Sequence, residues 1–248
     1  MVNLIFEELL RGKKIVVSGA AGGLGSSIVN FLAKAGAQVI AIDINPSVIR
    51  ASASKEVRPY VLDLLDREKV DEFFATVATD ADGLVNCQGI LRVKPALDLS
   101  LDDFEASLKI NVTSFFTASV GYGRSRINQA QRGSIVNLSS VSSKVSNKGY
   151  SAYASSKAAV SQLTKVLALE WAEYGIRVNA IGPAMTETPM TRVYLAEPGF
   201  LDQAKQKIPL GRFGNASDLF GILSLLLSES GSFITGQTIM VDGGRTLV

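Results

Sequence analysis

Lys13-Lys14-Ile15-Val16-Val17-Ser18-Gly19-Ala20-Ala21-Gly22-Gly23-Leu24-Gly25 is a short, largely β-branched run that stops at glycines, and apolar residues at helical spacing follow from Ile28 to Ala35. The pattern predicts a strand, a tight turn and a helix. Glycines at 19, 23 and 25 let the backbone turn sharply and approach a diphosphate closely. The anion would then rest, beside Leu24, on the amides and positive dipole end of the helix. Glycines also end strands for purely structural reasons, so the loop by itself leaves a phosphate cradle and a plain turn both open.

The units that follow repeat the alternation. Ala37 to Asp43 is a second buried strand that ends in an acid 18 residues beyond Gly25. A carboxylate there can accept both ribose hydroxyls of an adenosine and would repel a 2′-phosphate, which favours NAD over NADP. The competing reading is an Asp that begins the turn at Asn45-Pro46. Arg50, further along, is the nearest base that could welcome a phosphate. Val57 to Leu62 reads as a third strand. It runs into Asp63-Leu64, where a carboxylate could meet an adenine amino group or begin a helix; Asp66 suits the helix start better. Gly83 to Asn86 is a fourth strand, ending in Asn86-Cys87-Gln88-Gly89.

Ser100 with Asp103 makes a helix start, and apolar spacing continues from Phe104 through Val120. Asn111 lies inside that helix, where an asparagine either faces solvent or has a specific partner. Phe115 and Phe116 are read as core. Gly133 to Ser140 is a fifth strand running into hydroxyls, Ser151 to Tyr174 a long helix, and Ile176 to Ile181 a sixth strand before Gly182-Pro183. Residues 185–209 lack a sustained period and read as a lid over a site, with an ordinary surface connection as the alternative. Ala216 to Ser228 is helical, and Gln237 to Gly244 is a last strand and turn. These elements predict an α/β fold: one doubly wound Rossmann domain over residues 1–248, its seven-stranded, mostly parallel sheet flanked by helices.

Composition narrows the chemistry. Of 248 residues, 47% are apolar and 19% charged, and the net charge is +2 with both signs dispersed. This suits a soluble domain whose partner is a small molecule, not nucleic acid or a membrane. Residues 1–11 carry Glu7 and Glu8 and no cleavage pattern, so the expected address is the cytoplasm. Cys87 is the only cysteine and there is no histidine, which excludes an internal disulfide and a cysteine metal cage and removes the commonest acid/base residue. Any proton transfer must use Tyr, Lys, Asp, Glu or water.

Tyr153-Ala154-Ser155-Ser156-Lys157 supplies such a pair, because residues four apart on a helix share a face. A lysine ammonium beside a phenol favours the phenolate, which would let the tyrosine exchange a proton near neutral pH. The same spacing also suits a packed Tyr and a solvated Lys, and the five residues alone do not decide.

The whole set resembles the short-chain dehydrogenase/reductase family in its single-domain form. The family's Thr-Gly-x-x-x-Gly-x-Gly loop has Ser18 for Thr, and its Asn-Asn-Ala-Gly stands as Asn86-Cys87-Gln88-Gly89. Its Tyr-x-x-x-Lys is Tyr153 to Lys157, its serine Ser140, its helix asparagine Asn111; its Pro-Gly pair is Pro183-Ala184, and Thr188 matches the threonine that holds the nicotinamide carboxamide. The resemblance implies that Tyr153 transfers the proton, Lys157 lowers its pKa and holds the nicotinamide ribose, and Ser140 orients the carbonyl. Asn111 would carry a water that links Lys157 to solvent. The loop (Ser18, Gly19, Gly23, Leu24, Gly25), Asp43, Asp63, Leu64, Asn86, Gly89, Pro183 and Thr188 would hold NAD.

The expected activity is hydride transfer between NAD and a secondary alcohol or ketone, with a polyol, sugar or hydroxy acid as substrate. Ile90 to Arg92, Val141 to Lys148, Tyr150 and the lid from Met185 to Lys207 would line its pocket. In overall look the chain is similar to 3-oxoacyl-[acyl carrier protein] reductase. Against that alternative, the two basic positions that receive the carrier protein are Gln131 and Tyr174 here, although Arg126 and Arg132 lie nearby. A non-catalytic nucleotide sensor on the same fold is a further alternative. The resemblance also implies a homotetramer built on the helices at Asp102–Asn128 and Ser151–Tyr174.

Overall fold

A computed structural model of the chain describes residues 8–46, 54–188 and 204–248. Arg50 and residues 189–203 of the expected lid lie outside the described residues, as do residues 1–7. Seven strands form one sheet: β1 Lys14–Ser18, β2 Gln38–Asp43, β3 Val57–Val61, β4 Gly83–Asn86, β5 Gly133–Leu138, β6 Ile176–Pro183 and β7 Thr238–Val241. Their order is β3-β2-β1-β4-β5-β6-β7 and every pairing is parallel, so the sheet is wholly and not mostly parallel.

Parallel strands need crossovers that cover both faces, which is why the strands read as unbroken apolar runs. Alternate residues serve opposite layers. On one face Ile15, Val17, Val39 and Val136 pack with Ile28 and Leu32 of α1 (Gly23–Lys34). Leu223 and Leu226 of the Phe220–Leu227 helix complete that layer. On the other face Val16, Ile40, Leu84 and Ile135 meet Phe73, Phe74, Tyr122 and Leu167. Each fully buried Leu or Phe contributes about 2–3 kcal/mol.

The remaining helices are α2 Arg67–Thr76, α3 Leu101–Leu108, α4 Ser114–Asn128 and α5 Ser151–Trp171, with Phe220–Leu227 as α6. Their starts follow the expected chemistry. The Asp66 side chain accepts a hydrogen bond from Lys69 N at 3.2 Å, and Ser100 accepts one from Asp103 N at 3.1 Å. Boundaries differ in places: β3 stops at Val61, β6 runs on to Pro183, the helix expected to reach Tyr174 tightens to a 3-10 turn over Ala172–Tyr174, and the one expected from Ala216 opens with a 3-10 turn over Ala216–Leu219. Phe115 is buried, but Phe116 is 48% exposed, because only one of two adjacent residues on a helix can face the sheet. Among the described residues no helix is long and apolar enough to cross a membrane.

The sheet positions the site. Crossovers leaving β1 and β4 run in opposite directions, and at such a switch point the carboxyl ends of the strands open into a crevice. The pairing Ser18↔Asn86 sets the ends of β1 and β4 level beneath it.

Candidate active site

A cavity of about 660 Å³ opens over the strand ends, and Leu24, Ser140, Tyr153, Lys157, Pro183 and Thr188 all line it. Three elements deliver the acid/base group. Helix α5 carries Tyr153 and Lys157 on one face, and the exit of β5 presents Ser140, whose hydroxyl accepts a hydrogen bond from Ser142 N at 3.1 Å. Lys157 is only 4% exposed. Its Nζ donates to Leu138 O at 2.8 Å and sits 5.1 Å from the Phe115 ring centre and 5.8 Å from that of Tyr153.

Burial dominates the titration of both groups. It pushes the Tyr153 phenol up to about 12, with the Ser140 hydroxyl pulling the other way, and it pulls Lys157 down to about 8. The expected lowering of the tyrosine by Lys157 is therefore not what this arrangement produces. The ammonium lies over the phenol ring and spends its bond on a main-chain carbonyl, so desolvation outweighs Coulomb attraction. In this pocket the phenol is a proton donor at neutral pH.

Asn111 joins two of these elements. It lies in a π-helical turn, Lys109–Thr113, between α3 and α4, and its side chain is fully buried. Its Oδ1 accepts from Ile90 N at 2.8 Å, while its Nδ2 donates to Ile90 O at 3.0 Å and to Ser156 Oγ at 3.0 Å. The amide thus clamps the chain leaving β4 to the Tyr153 helix. Gly89 lies under the same group, where a Cβ would stand 3.2 Å from Asn111 Oδ1 and 3.7 Å from Lys157 Nζ.

The glycine loop fits a dinucleotide. Helix α1 opens at Gly23 with no side-chain cap and no acid in its first turn, which leaves its N-terminal amides and dipole to an anion. Gly19 has φ +67, and a Cβ there would lie 2.5 Å from Gln88 N, so the loop is pressed against the exit of β4. Gly25 is enclosed in the same way by the Gly19 carbonyl. Asp43 Oδ2 accepts from Ala21 N and Oδ1 from Asn45 N, both at 2.9 Å, which fixes the carboxylate at the edge of the loop. Asp63 is exposed and accepts from Leu65 N at 2.9 Å, while the neighbouring Leu64 is buried.

Ser18 and Asn86 differ from expectation, because both are fully enclosed. The Ser18 hydroxyl contacts Asn86 Oδ1 at 3.0 Å, and Asn86 Nδ2 donates to Asn137 Oδ1 at 2.9 Å. They brace β1, β4 and β5 and offer no surface to a ligand. Other residues fall differently from the sequence reading. Arg92 faces Asp103 at 3.6 Å, and it and Ile90 are absent from the wall. Arg126 is buried and donates to Arg132 O, so it cannot greet an acidic partner. Arg245 lines the cavity and was not expected; its one signal was its place just past the carboxyl end of β7.

The comparisons agree with this geometry. A family model described as Enoyl-(Acyl carrier protein) reductase matches residues 19–246. The chain is 37% identical to 3-oxoacyl-[acyl-carrier-protein] reductase of Thermotoga maritima, over 96% of this chain and 99% of that one. It is 33% identical to gluconate 5-dehydrogenase of Gluconobacter oxydans, over 96% and 95%. A crystal structure of a gluconate 5-dehydrogenase from Burkholderia cenocepacia, in complex with NADP and tartrate, superposes with a TM-score of 0.90 at 31% identity, covering 98% of this chain and 99% of that one. With its doubly wound sheet, glycine loop and Ser140, Tyr153 and Lys157 around one cavity, the chain belongs to the short-chain dehydrogenase/reductase family.

Proposed function

We propose that this protein is an NAD-dependent oxidoreductase that interconverts a secondary alcohol and its ketone on a small polar substrate, a polyol, sugar or hydroxy acid. The observation that carries the reading is the meeting of Ser140, Tyr153 and Lys157 in one cavity with Ser142, Ser146 and Asn147. The dinucleotide, when bound, supplies the hydride carrier. Tyr153 gives a proton to the nascent alkoxide in reduction and takes it back in oxidation. Ser140 donates a hydrogen bond to the same oxygen as charge develops on it. Lys157 and Asn111 hold the tyrosine helix and the β4 exit in place, and Lys157 is the residue to hold the nicotinamide ribose. Gly89, Pro183 and Thr188 border the cofactor's reactive end, and the glycine loop, Leu24, Asp43, Asp63 and Leu64 its adenosine and diphosphate end. The Tyr153→Phe protein should bind NADH normally and lose nearly all turnover on a panel of secondary alcohols; retained turnover would sink the assignment.

The preference for NAD rests on Asp43, whose fixed charge would repel a 2′-phosphate, and on the uncharged Ala20, Ala21 and Gly22 opposite it. The relative from Burkholderia cenocepacia holds NADP, which argues the other way. Titration decides: NADH should bind more tightly than NADPH, and Asp43→Ala should narrow the gap. A native preference for NADPH would overturn this reading of Asp43.

A second reading is 3-oxoacyl-[acyl carrier protein] reductase, favoured by the 37% identity to the Thermotoga maritima enzyme. The surface argues against it. Gln131 and Tyr174 carry no charge, and Arg126 is spent on Arg132 O, leaving Arg132 as the one exposed base of the four. Turnover of an acyl-carrier substrate faster than of any polyol or hydroxy acid would reverse the order.

A further inference from the structure

The wall of the cavity has a one-sided charge. Lys148, Lys157, Lys207 and Arg245 line it, and among the described residues that do so there is no carboxylate. Some basic side chains elsewhere are matched by acids: Arg92 and Lys94 face Asp103, Arg212 faces Asp218, and Arg124 faces Asp71. No described ion pair engages Lys148, Lys207 or Arg245. Asp242, the acid nearest Arg245 in sequence, spends Oδ1 on Gly244 N and Oδ2 on Thr246 N and Oγ1. Arg245 gives one donor to Val248 O, an oxygen of the terminal carboxylate, at 2.9 Å, and among the described residues its other guanidinium donors have no such use.

Arg245 and Lys207 belong to one part of the wall. Leu210 N donates to Gly243 O at 3.1 Å, and a Cβ on Gly243 would stand 2.8 Å from Ile208 Cγ2, so the segment after Lys207 lies directly on the turn that carries Arg245. These cations are not the seat of the cofactor diphosphate. That falls to the glycine loop, of which only Leu24 reaches this cavity. Lys157 is committed to Leu138 O. What remains are Lys148, Lys207 and Arg245, over a cleft whose apolar walls focus their field.

We infer that the substrate is an anionic alcohol whose carboxylate or phosphate end is seated on Arg245 and Lys207, Arg245 able to grip it through two parallel hydrogen bonds. Lys148, on the same wall, adds to the attraction. This rests on the oxidoreductase reading above and narrows it, because neutral polyols and sugars would leave Lys207 without a counter-charge and the free donors of Arg245 without an acceptor.

The test separates the two claims. With the protein saturated by NADH, so that the diphosphate site is filled, binding of glutarate and of inorganic phosphate is measured by calorimetry. Wild type should bind one of them, which also tells carboxylate from phosphate, and Arg245→Gln and the exposed Lys207→Gln should each weaken binding at least tenfold. In turnover, the ratio of kcat/KM for gluconate or glucitol 6-phosphate over glucitol should fall at least tenfold in Arg245→Gln, chiefly through KM. No binding of either anion by wild type, or equal binding by both variants, overturns the anion seat even if glucitol is oxidised. Anion binding that depends on Arg245, with no alcohol turned over, keeps the seat and overturns the oxidoreductase reading.

Discussion

Lys157 is the costliest single side chain in the site. A lysine drawn down to about 8 from 10.5 is held as a cation at neutral pH against a penalty of about 3 kcal/mol. Between those two values the unfolded chain keeps its proton while the folded one has released it, so stability rises with pH across that window. Lys157→Met removes the titration. Wild type should therefore gain on the variant by about 3 kcal/mol between pH 7 and pH 10.5, read from urea unfolding at both. A constant difference would mean that the ammonium is not desolvated. Tyr153 sets the sign of the rate profile. Because burial pushes the phenol up to about 12, ketone reduction should be flat from pH 6 to 9, while alcohol oxidation, which needs the phenolate, should climb throughout. Oxidation that levels off below pH 8 would show that the phenol is far more acidic than this pocket makes it.

At the scale of elements, the glycine loop and the π turn do the positioning. Gly19→Ala places a side chain at φ +67 against Gln88 N. It should cost at least about 2 kcal/mol of stability and weaken NADH binding at least tenfold, measured by thermal unfolding and by fluorescence titration. Unchanged NADH affinity would detach the loop from the cofactor. The loop and the caps at Asp66 and Ser100 were legible in the sequence because each is a local rule: φ, an acceptor, three residues. The π turn was not. Asn111 signalled only that it needed a partner, and that partner, Ile90, is 21 residues away across the sheet end. Ser18 and Asn86 were misjudged for the same reason, since a polar residue at a strand end looks alike whether it meets a ligand or a buried neighbour such as Asn137. Arg245 escaped notice because the path of the segment after Lys207 decides whether it faces the cavity.

At the scale of the molecule, the parallel sheet followed from apolar runs of strand length alternating with helical spacing, since only covering helices on both faces let every residue of β4 be buried. The homotetramer that the sequence led us to expect would have to form on what the fold leaves uncovered. Val166 and Leu169, three residues apart on α5 and so on one side of it, are 43% and 83% exposed, and Phe116 of α4 is 48% exposed. Apolar groups of this size on two adjoining long helices suit contact with the same helices of a second copy, related by a two-fold axis. The expected solution mass is that of a homotetramer of 26.4 kDa chains. Leu169→Glu would place a carboxylate in that apolar contact and should divide the assembly, with light scattering after size exclusion reading half the wild-type mass or less. Because Leu169 lies outside the core, the monomer fold should persist by circular dichroism. An unchanged tetramer mass for Leu169→Glu would place the interface on another face.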